Sequence, residues 1–245
     1  MDRLVYTALT GLQRAEEAQA VTAHNLANSA TPGFRQELAA LSAAWLTPGG
    51  AALTARAQSG GESPHDLMRP GRVEQTGGAL DIAMDGNAWL AVADDAGGEA
   101  LTRRGDLRLD ADGRLLTGDG KQVMGADGPI QIATGFGSLR IARDGRLETR
   151  AAADAPFVEV GRLKLVSPDV RTLERGADGL FRSDAMDADP TATVTAGAIE
   201  RSNVEPVAAL VELVQQSRNF ELQTKLLTAA REMDESSAAL MRLDP

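Results

Sequence analysis

Cysteine is absent from this 245-residue chain, which excludes a disulfide framework, a thiolate nucleophile and any cysteine-ligated zinc or iron–sulfur centre. Aromatic residues make up only 3% of it, so a core must be built from aliphatic and small side chains, and a densely aromatic ligand pocket is not expected. Lysine is nearly missing: Lys121, Lys164 and Lys225 stand alone, the arginines are scattered, and the formal charge is −10. A nucleic-acid groove needs a concentrated basic field, so no nucleic-acid partner is expected. Long apolar runs are lacking as well. No stretch approaches the ~20 residues of a membrane-spanning helix, and Met1-Asp2-Arg3-Leu4 does not open as a cleaved signal peptide does.

Catalytic and metal chemistry find little material. His24 and His65 are the only histidines, and neither stands in a His-Glu-x-x-His spacing. A Ser-His-Asp triad has no fixed spacing, but no Gly-x-Ser-x-Gly elbow is present. Asp110-Ala111-Asp112-Gly113-Arg114-Leu115 starts like a calcium loop, yet Arg114 and Leu115 stand where an oxygen ligand and a glycine are needed. Gly135-Phe136-Gly137-Ser138-Leu139-Arg140 starts like a dinucleotide loop and has Arg140 in place of the third glycine. Both read as turns. No enzyme activity, cofactor, metal or small-molecule ligand is expected.

What is present is a three-part pattern: helical ends at 1–35 and 199–245, an irregular connector at 36–75, and a β-rich domain at 76–198. Leu4, Ala8, Gly11, Ala15, Ala18, Thr22 and Asn25 recur at 4-3-4-3 spacing, with Leu12 and Leu26 widening the stripe. This predicts one long helix, which Asn28 in a left-handed cap and Thr31-Pro32-Gly33 would end. At the other end Pro206 suits a first helical turn, and Leu210, Leu213, Ser217, Phe220, Thr224 and Leu227 run at 3-4-3-4-3, flanked by Val207, Val214 and Leu226. Between the helices, six Asp-Gly dipeptides (at 85, 112, 119, 127, 144 and 178) punctuate short apolar runs and predict antiparallel strands. These are expected at 80–84, 89–92, 107–109, 115–117, 131–133, 139–141, 157–160 and 163–166. The fold class is therefore α+β, with discontinuous terminal coiled-coil helices flanking a central antiparallel β-rich domain.

The first stripe is mostly Ala, Gly and Thr, which bury little area, while closing roughly 165 intervening residues as a flexible loop would cost on the order of 4–5 kcal/mol. Such a helix pair is marginal alone and gains most from neighbours offering close small-residue seams. Assembly is thus the expectation.

Ala23-His24-Asn25-Leu26-Ala27-Asn28 followed by Thr31-Pro32-Gly33-Phe34-Arg35 resembles the N-terminal signature of the flagellar rod and hook proteins. His24 stands where that family more usually has Asn or Ser. The resemblance continues through Thr76-Gly77-Gly78-Ala79-Leu80-Asp81-Ile82-Ala83, Leu101-Thr102-Arg103-Arg104-Gly105 and Val123-Met124-Gly125, then Ser202-Asn203-Val204 with Arg218, Phe220, Glu221 and Lys225. Within the family, the opening residues, the short connector and Gly161-Arg162-Leu163-Lys164-Leu165-Val166 look most like the proximal rod subunits.

The resemblance implies a structural subunit of the bacterial flagellar basal body, in the rod that crosses the periplasm. It implies export by the flagellar type III apparatus, and partners among the distal and other proximal rod proteins. It also implies terminal helices packed as a coiled coil in the inner layer of a helical tube that transmits torque. Candidate assembly residues are Leu4, Ala8, Gly11, Leu12, Ala15, Ala18, Thr22, Asn25, Leu26, Leu210, Leu213, Val214, Ser217, Phe220, Thr224 and Leu227 on the helices, with Asn28, Gly33 and Phe34 from the signature. The competing readings are a distal rod role and a soluble β-rich binding module whose helices fold back on the same monomer. Acid-only catalysis ranks below both.

Overall fold

Two helices occupy the ends of the chain, and the described residues between them form antiparallel ladders, turns and one short 3-10 turn. The computed structural model describes residues 2–38, 41–45, 57–61, 65–66, 68–133, 135–184 and 186–241. Helix α1 is Asp2–Ala27 and α2 is Pro206–Met241, rods of about 39 and 54 Å by the α-helical rise. Contacts divide the chain into two units, one made of 1–29, 36–67 and 204–245, the other of 30–35 and 68–203. Both are discontinuous in sequence, and the class is α+β.

The first unit holds α1 and α2. Gln216 Nε2 donates to Thr22 Oγ1 at 2.9 Å, while Gly11 faces Gln223, so the helices run antiparallel. The stretch 36–75, expected to be irregular, carries ladders. Glu37–Leu38 pairs with His65–Asp66, and Leu41–Trp45 pairs with Ala57–Gly61, both antiparallel. Gly60-Gly61, a pair that would ordinarily break a strand, lies within one of these strands.

In the second unit a five-stranded sheet runs in the order Leu165–Val166, Trp89–Ala93, Glu99–Thr102, Phe181–Arg182, Glu174–Arg175, and a three-stranded one in the order Ser138–Ile141, Arg146–Arg150, Val158–Arg162. Alternation along Trp89–Ala93 sends Leu90 and Val92 into the main core with Ile82, Leu115, Val123, Leu147 and Val194. Trp89 and Ala91 go to a smaller cluster with Leu101, Val166 and Phe181. Late strands complete early ones: Val194–Ala196 pairs with Ile82–Met84, and Ala198–Glu200 with Val73–Gln75.

The Asp-Gly prediction holds at Gly113 and Gly145, which at φ 80° and 79° close the hairpins 107–109/115–117 and 138–141/146–150. Asp85-Gly86 is different, a turn between two strands that pair elsewhere. The strand expected at 131–133 is reduced to a bridge between Gln131 and Arg114. Gly113 presses against the Ile132 carbonyl there, where its added Cβ would lie 2.0 Å away.

The calcium-like loop is a turn closed by its own arginine. Asp110 accepts from the Arg114 backbone N–H at 2.8 Å and from Arg114 Nε at 2.8 Å, and the backbone bond chiefly holds its carboxyl below the usual range.

Candidate assembly interface

The α1 stripe faces its own chain. Thr22 and Asn25 are buried, and Gly11, Leu12, Ala15, Ala18 and Leu26 are half-buried, whereas Gln13, Glu16, Glu17 and Ala20 are exposed. Leu4 and Ala8 lie on α1, but their side chains fall outside the described residues. Asn25 is committed to the strand that follows: its Nδ2 donates to the Glu37 carbonyl at 2.7 Å and its Oδ1 accepts from the Glu37 N–H at 2.8 Å. This satisfies a buried amide that would otherwise cost free energy.

Asn28 does not adopt the expected left-handed cap, since no non-glycine residue among those described has positive φ. Its side-chain amide donates to the His24 carbonyl at 3.0 Å and its backbone N–H bonds the same oxygen, which removes the need for a left-handed residue. His24 itself is exposed, with Nδ1 3.2 Å from the Glu37 carboxylate.

Helix α2 is apolar on two faces. Ala209 is buried and Leu213, Gln216, Ser217, Phe220, Gln223 and Leu227 are half-buried. Leu210, Val214 and Thr224, expected on the same stripe, are exposed instead. They belong with or near a second arc formed by Val207, Val211, Leu222 and Leu226. Residue exposure in this arc runs from 50% at Leu210 and Val214 to 68% at Val207 and Leu226. Successive residues turn by about 100°, so a sequence with apolar residues in both arcs offers no single stripe to read. Along the same helix a groove of about 500 Å³ is lined by Phe220, Thr224, Lys225, Thr228 and Ala229 among others.

Gly33 and Phe34 belong to the β unit. Gly33 has φ 68°, and a Cβ there would lie 2.3 Å from the Arg103 carbonyl carbon, so only glycine fits. Its N–H donates to the Glu200 carbonyl at 2.7 Å. Phe34 lies under the Arg175 guanidinium, 4.9 Å from ring centroid to Cζ.

Beside them is a feature that spacing did not indicate: Arg35, Arg103 and Glu200 are together buried, with relative exposures of 3%, 4% and 1%. Arg103 donates from Nε and Nη2 to Glu200 Oε2 at 2.8 and 2.6 Å and to the carbonyls of Met84, Gly86 and Ala88. Arg35 Nη1 bonds Glu200 Oε1, which also accepts from the Gly71 N–H at 2.8 Å. The Trp89 ring lies 5.9 and 5.8 Å from the two guanidiniums. Burial lowers the Arg103 pKa, and the Glu200 charge opposes that shift. No local signal marked the cluster: Glu200 stands in the charged pair Glu200-Arg201 and Arg103 in Arg103-Arg104.

Known proteins match in three blocks along the chain. Residues 5–35 match the model described as flagella basal body rod protein, 83–149 the flagellar hook protein FlgE/F/G D1 domain, and 195–240 the flagellar basal body rod FlgEFG protein C-terminal. The flagellar basal-body rod protein FlgF of Salmonella typhimurium is 36% identical over 254 aligned positions, covering 99% of this chain and 100% of that one. The protein of the same name from Escherichia coli is 38% identical over 240 positions, 94% of each chain. The flagellar basal-body rod protein FlgG of Bacillus subtilis is 27% identical over 266 positions, 99% of this chain and 100% of the relative. The first block covers α1 and its signature turn, and the third covers α2 with the buried Glu200. Identity at this level over the whole length means that the chain belongs to the FlgE/F/G family of flagellar basal-body rod and hook proteins.

Proposed function

We propose that the chain joins neighbouring subunits of the proximal rod through its terminal helices. As a member of its family it is a structural subunit of the flagellar basal-body rod, and its partners are other rod and hook components. The observation that carries the finer reading is the second apolar arc of α2.

An apolar arc on a helix needs cover, yet α1 covers the opposite face, and this arc, with Arg218, Glu221 and Lys225 among its residues, stays bare. Val207, Leu210, Val211, Val214, Leu222 and Leu226 remain at least half exposed. Burying that exposed half would contribute about 5–9 kcal/mol at ~1.5–3 kcal/mol per fully buried side chain. Association of two bodies costs an estimated 4–15 kcal/mol, so one contact of this size is near break-even, and several neighbours per helix make it secure.

A contact between different patches on successive subunits, repeated without closure, generates a helical tube, and coiled-coil packing of the helices would let it resist torsion. On this reading the chain reaches the rod through the flagellar type III export apparatus, lies in the periplasmic part of the structure and catalyses nothing. The alternative of a self-sufficient binding module is disfavoured by the same arc, which such a module would have to leave bare.

Amide hydrogen exchange tests the proposal on the dilute chain, alone and after mixing with purified rod subunits of the same flagellum. New protection across residues 206–227 on mixing is expected. Unchanged exchange there with every rod subunit tried would refute it.

A further inference from the structure

Three segments of the β unit converge where the chain passes to and from its helices: 30–35 after α1, 69–75, and 198–203 before α2. They meet backbone to backbone. Gly33 N–H donates to the Glu200 carbonyl, Arg201 N–H to the Arg72 carbonyl at 2.9 Å, and Asn203 N–H to the Phe34 carbonyl at 3.3 Å. Asn203 Nδ2 donates to the Arg69 carbonyl at 2.9 Å. Two glycines permit this closeness, since a Cβ at Gly71 would lie 1.8 Å from the Arg201 carbonyl oxygen and one at Gly33 would strike Arg103. The Glu200 carboxylate is at the centre, taking Arg35 from the first segment, Gly71 from the second and Arg103 from just after the strand Glu99–Thr102.

We infer that Glu200 is a positioning residue, a fastener that makes the exit of α1 and the start of α2 yield together or not at all. One carboxylate serves two buried guanidiniums, so its loss leaves both cations facing each other in a low-dielectric site. Arg103 would keep its backbone carbonyl partners, whereas Arg35 would lose its carboxylate. The junction, more than the sheet, is therefore what opens. This rests on the rod reading only for the origin of the load: force drawn along either helix enters the β unit through these segments.

Two measurements on the dilute, unassembled chain test the fastener independently of any assembly. In Glu200→Gln, amide exchange at Gly33, Gly71, Arg201 and Asn203 should accelerate at least tenfold and in parallel, with Ala91, Val123 and Ile132 unchanged. Acceleration confined to Gly71, or spread equally over the core, would overturn the inference.

The second measurement is mechanical. The chain has no cysteine, so single cysteines at the exposed positions Gln13 and Gln215 give unique pulling handles. The wild type should show no extension step between parting of the helices and unfolding of the β unit. Glu200→Gln should add one early step of at most about 4 nm, the full length of residues 30–35 and 198–203 drawn straight. Arg35→Met, which leaves the Glu200–Arg103 pair balanced, covers the case in which Glu200→Gln does not fold and should show the same step. Its absence in Arg35→Met, or traces identical to wild type in both variants, would overturn the inference.

Discussion

Replacing Gly11 separates what the chain needs for itself from what it needs for its neighbours. Among the described residues of the isolated chain, a Cβ at this position meets only Gln223 Oε1, at 3.8 Å, which is ordinary contact. Alanine is favoured over glycine inside a helix by about 0.8–1 kcal/mol. Gly11→Ala should therefore steady α1, slowing amide exchange across residues 9–27 by roughly three- to fivefold. Gly11→Leu keeps most of the propensity gain, and among the described residues the atom nearest its Cβ is the flexible end of Gln223.

Neither change should harm the unassembled chain. If the glycine exists for close approach of a neighbouring helix, Gly11→Leu should block incorporation into rods in cells that depend on this chain, with Gly11→Ala intermediate. Normal incorporation of Gly11→Leu would refute the close-contact argument. Faster exchange in Gly11→Ala would refute the reading of space within the chain.

Gly33→Ala combines a left-handed backbone with a Cβ 2.3 Å from the Arg103 carbonyl carbon, and should cost about 3 kcal/mol or more in chemical denaturation. Paired Val211→Ser and Val214→Ser should leave circular dichroism and melting of the dilute chain within error, because both side chains are at least half exposed. The pair should nonetheless abolish co-sedimentation with rod subunits. Asp189 is held down from 3.8 to about 2, chiefly by the Ser167 hydroxyl and then by Thr191. Because the folded value lies below the unfolded one, its stabilisation is complete above the unfolded value and is lost as pH falls through about 2. Asp189→Asn should flatten the acid limb of a melting-temperature profile and leave the neutral limb parallel to wild type.

Periodicity made the two helices legible, because each carries an apolar residue every three or four positions and nothing to break it. The faces of α2 were not legible: Leu210, Val214 and Thr224 fit a stripe as well as Ala209, Gln216 and Gln223 do, and only the placement of α1 chooses between them. Asp-Gly turns were readable since Gly113 and Gly145 need positive φ, but such a turn states no partner, as Asp85-Gly86 shows. Strands Glu99–Thr102 and Arg146–Arg150 escaped notice because in one the apolar residues Ala100 and Leu101 are adjacent and do not alternate, and the other is mostly polar. The buried charges escaped for another reason. Arg103 and Glu200 are 97 positions apart, and a salt bridge over that span leaves no local pattern.

The residue that meets Thr22 on α1 is Gln216, 194 positions later. A ribosome, or any passage that delivers the amino end first, therefore presents the first helix long before its mate exists. Strands Val73–Gln75 and Ile82–Met84 wait similarly for Ala198–Glu200 and Val194–Ala196. Closure of both units is deferred to the last fifth of the chain, so the order of synthesis itself keeps this polypeptide threadable until it is nearly whole.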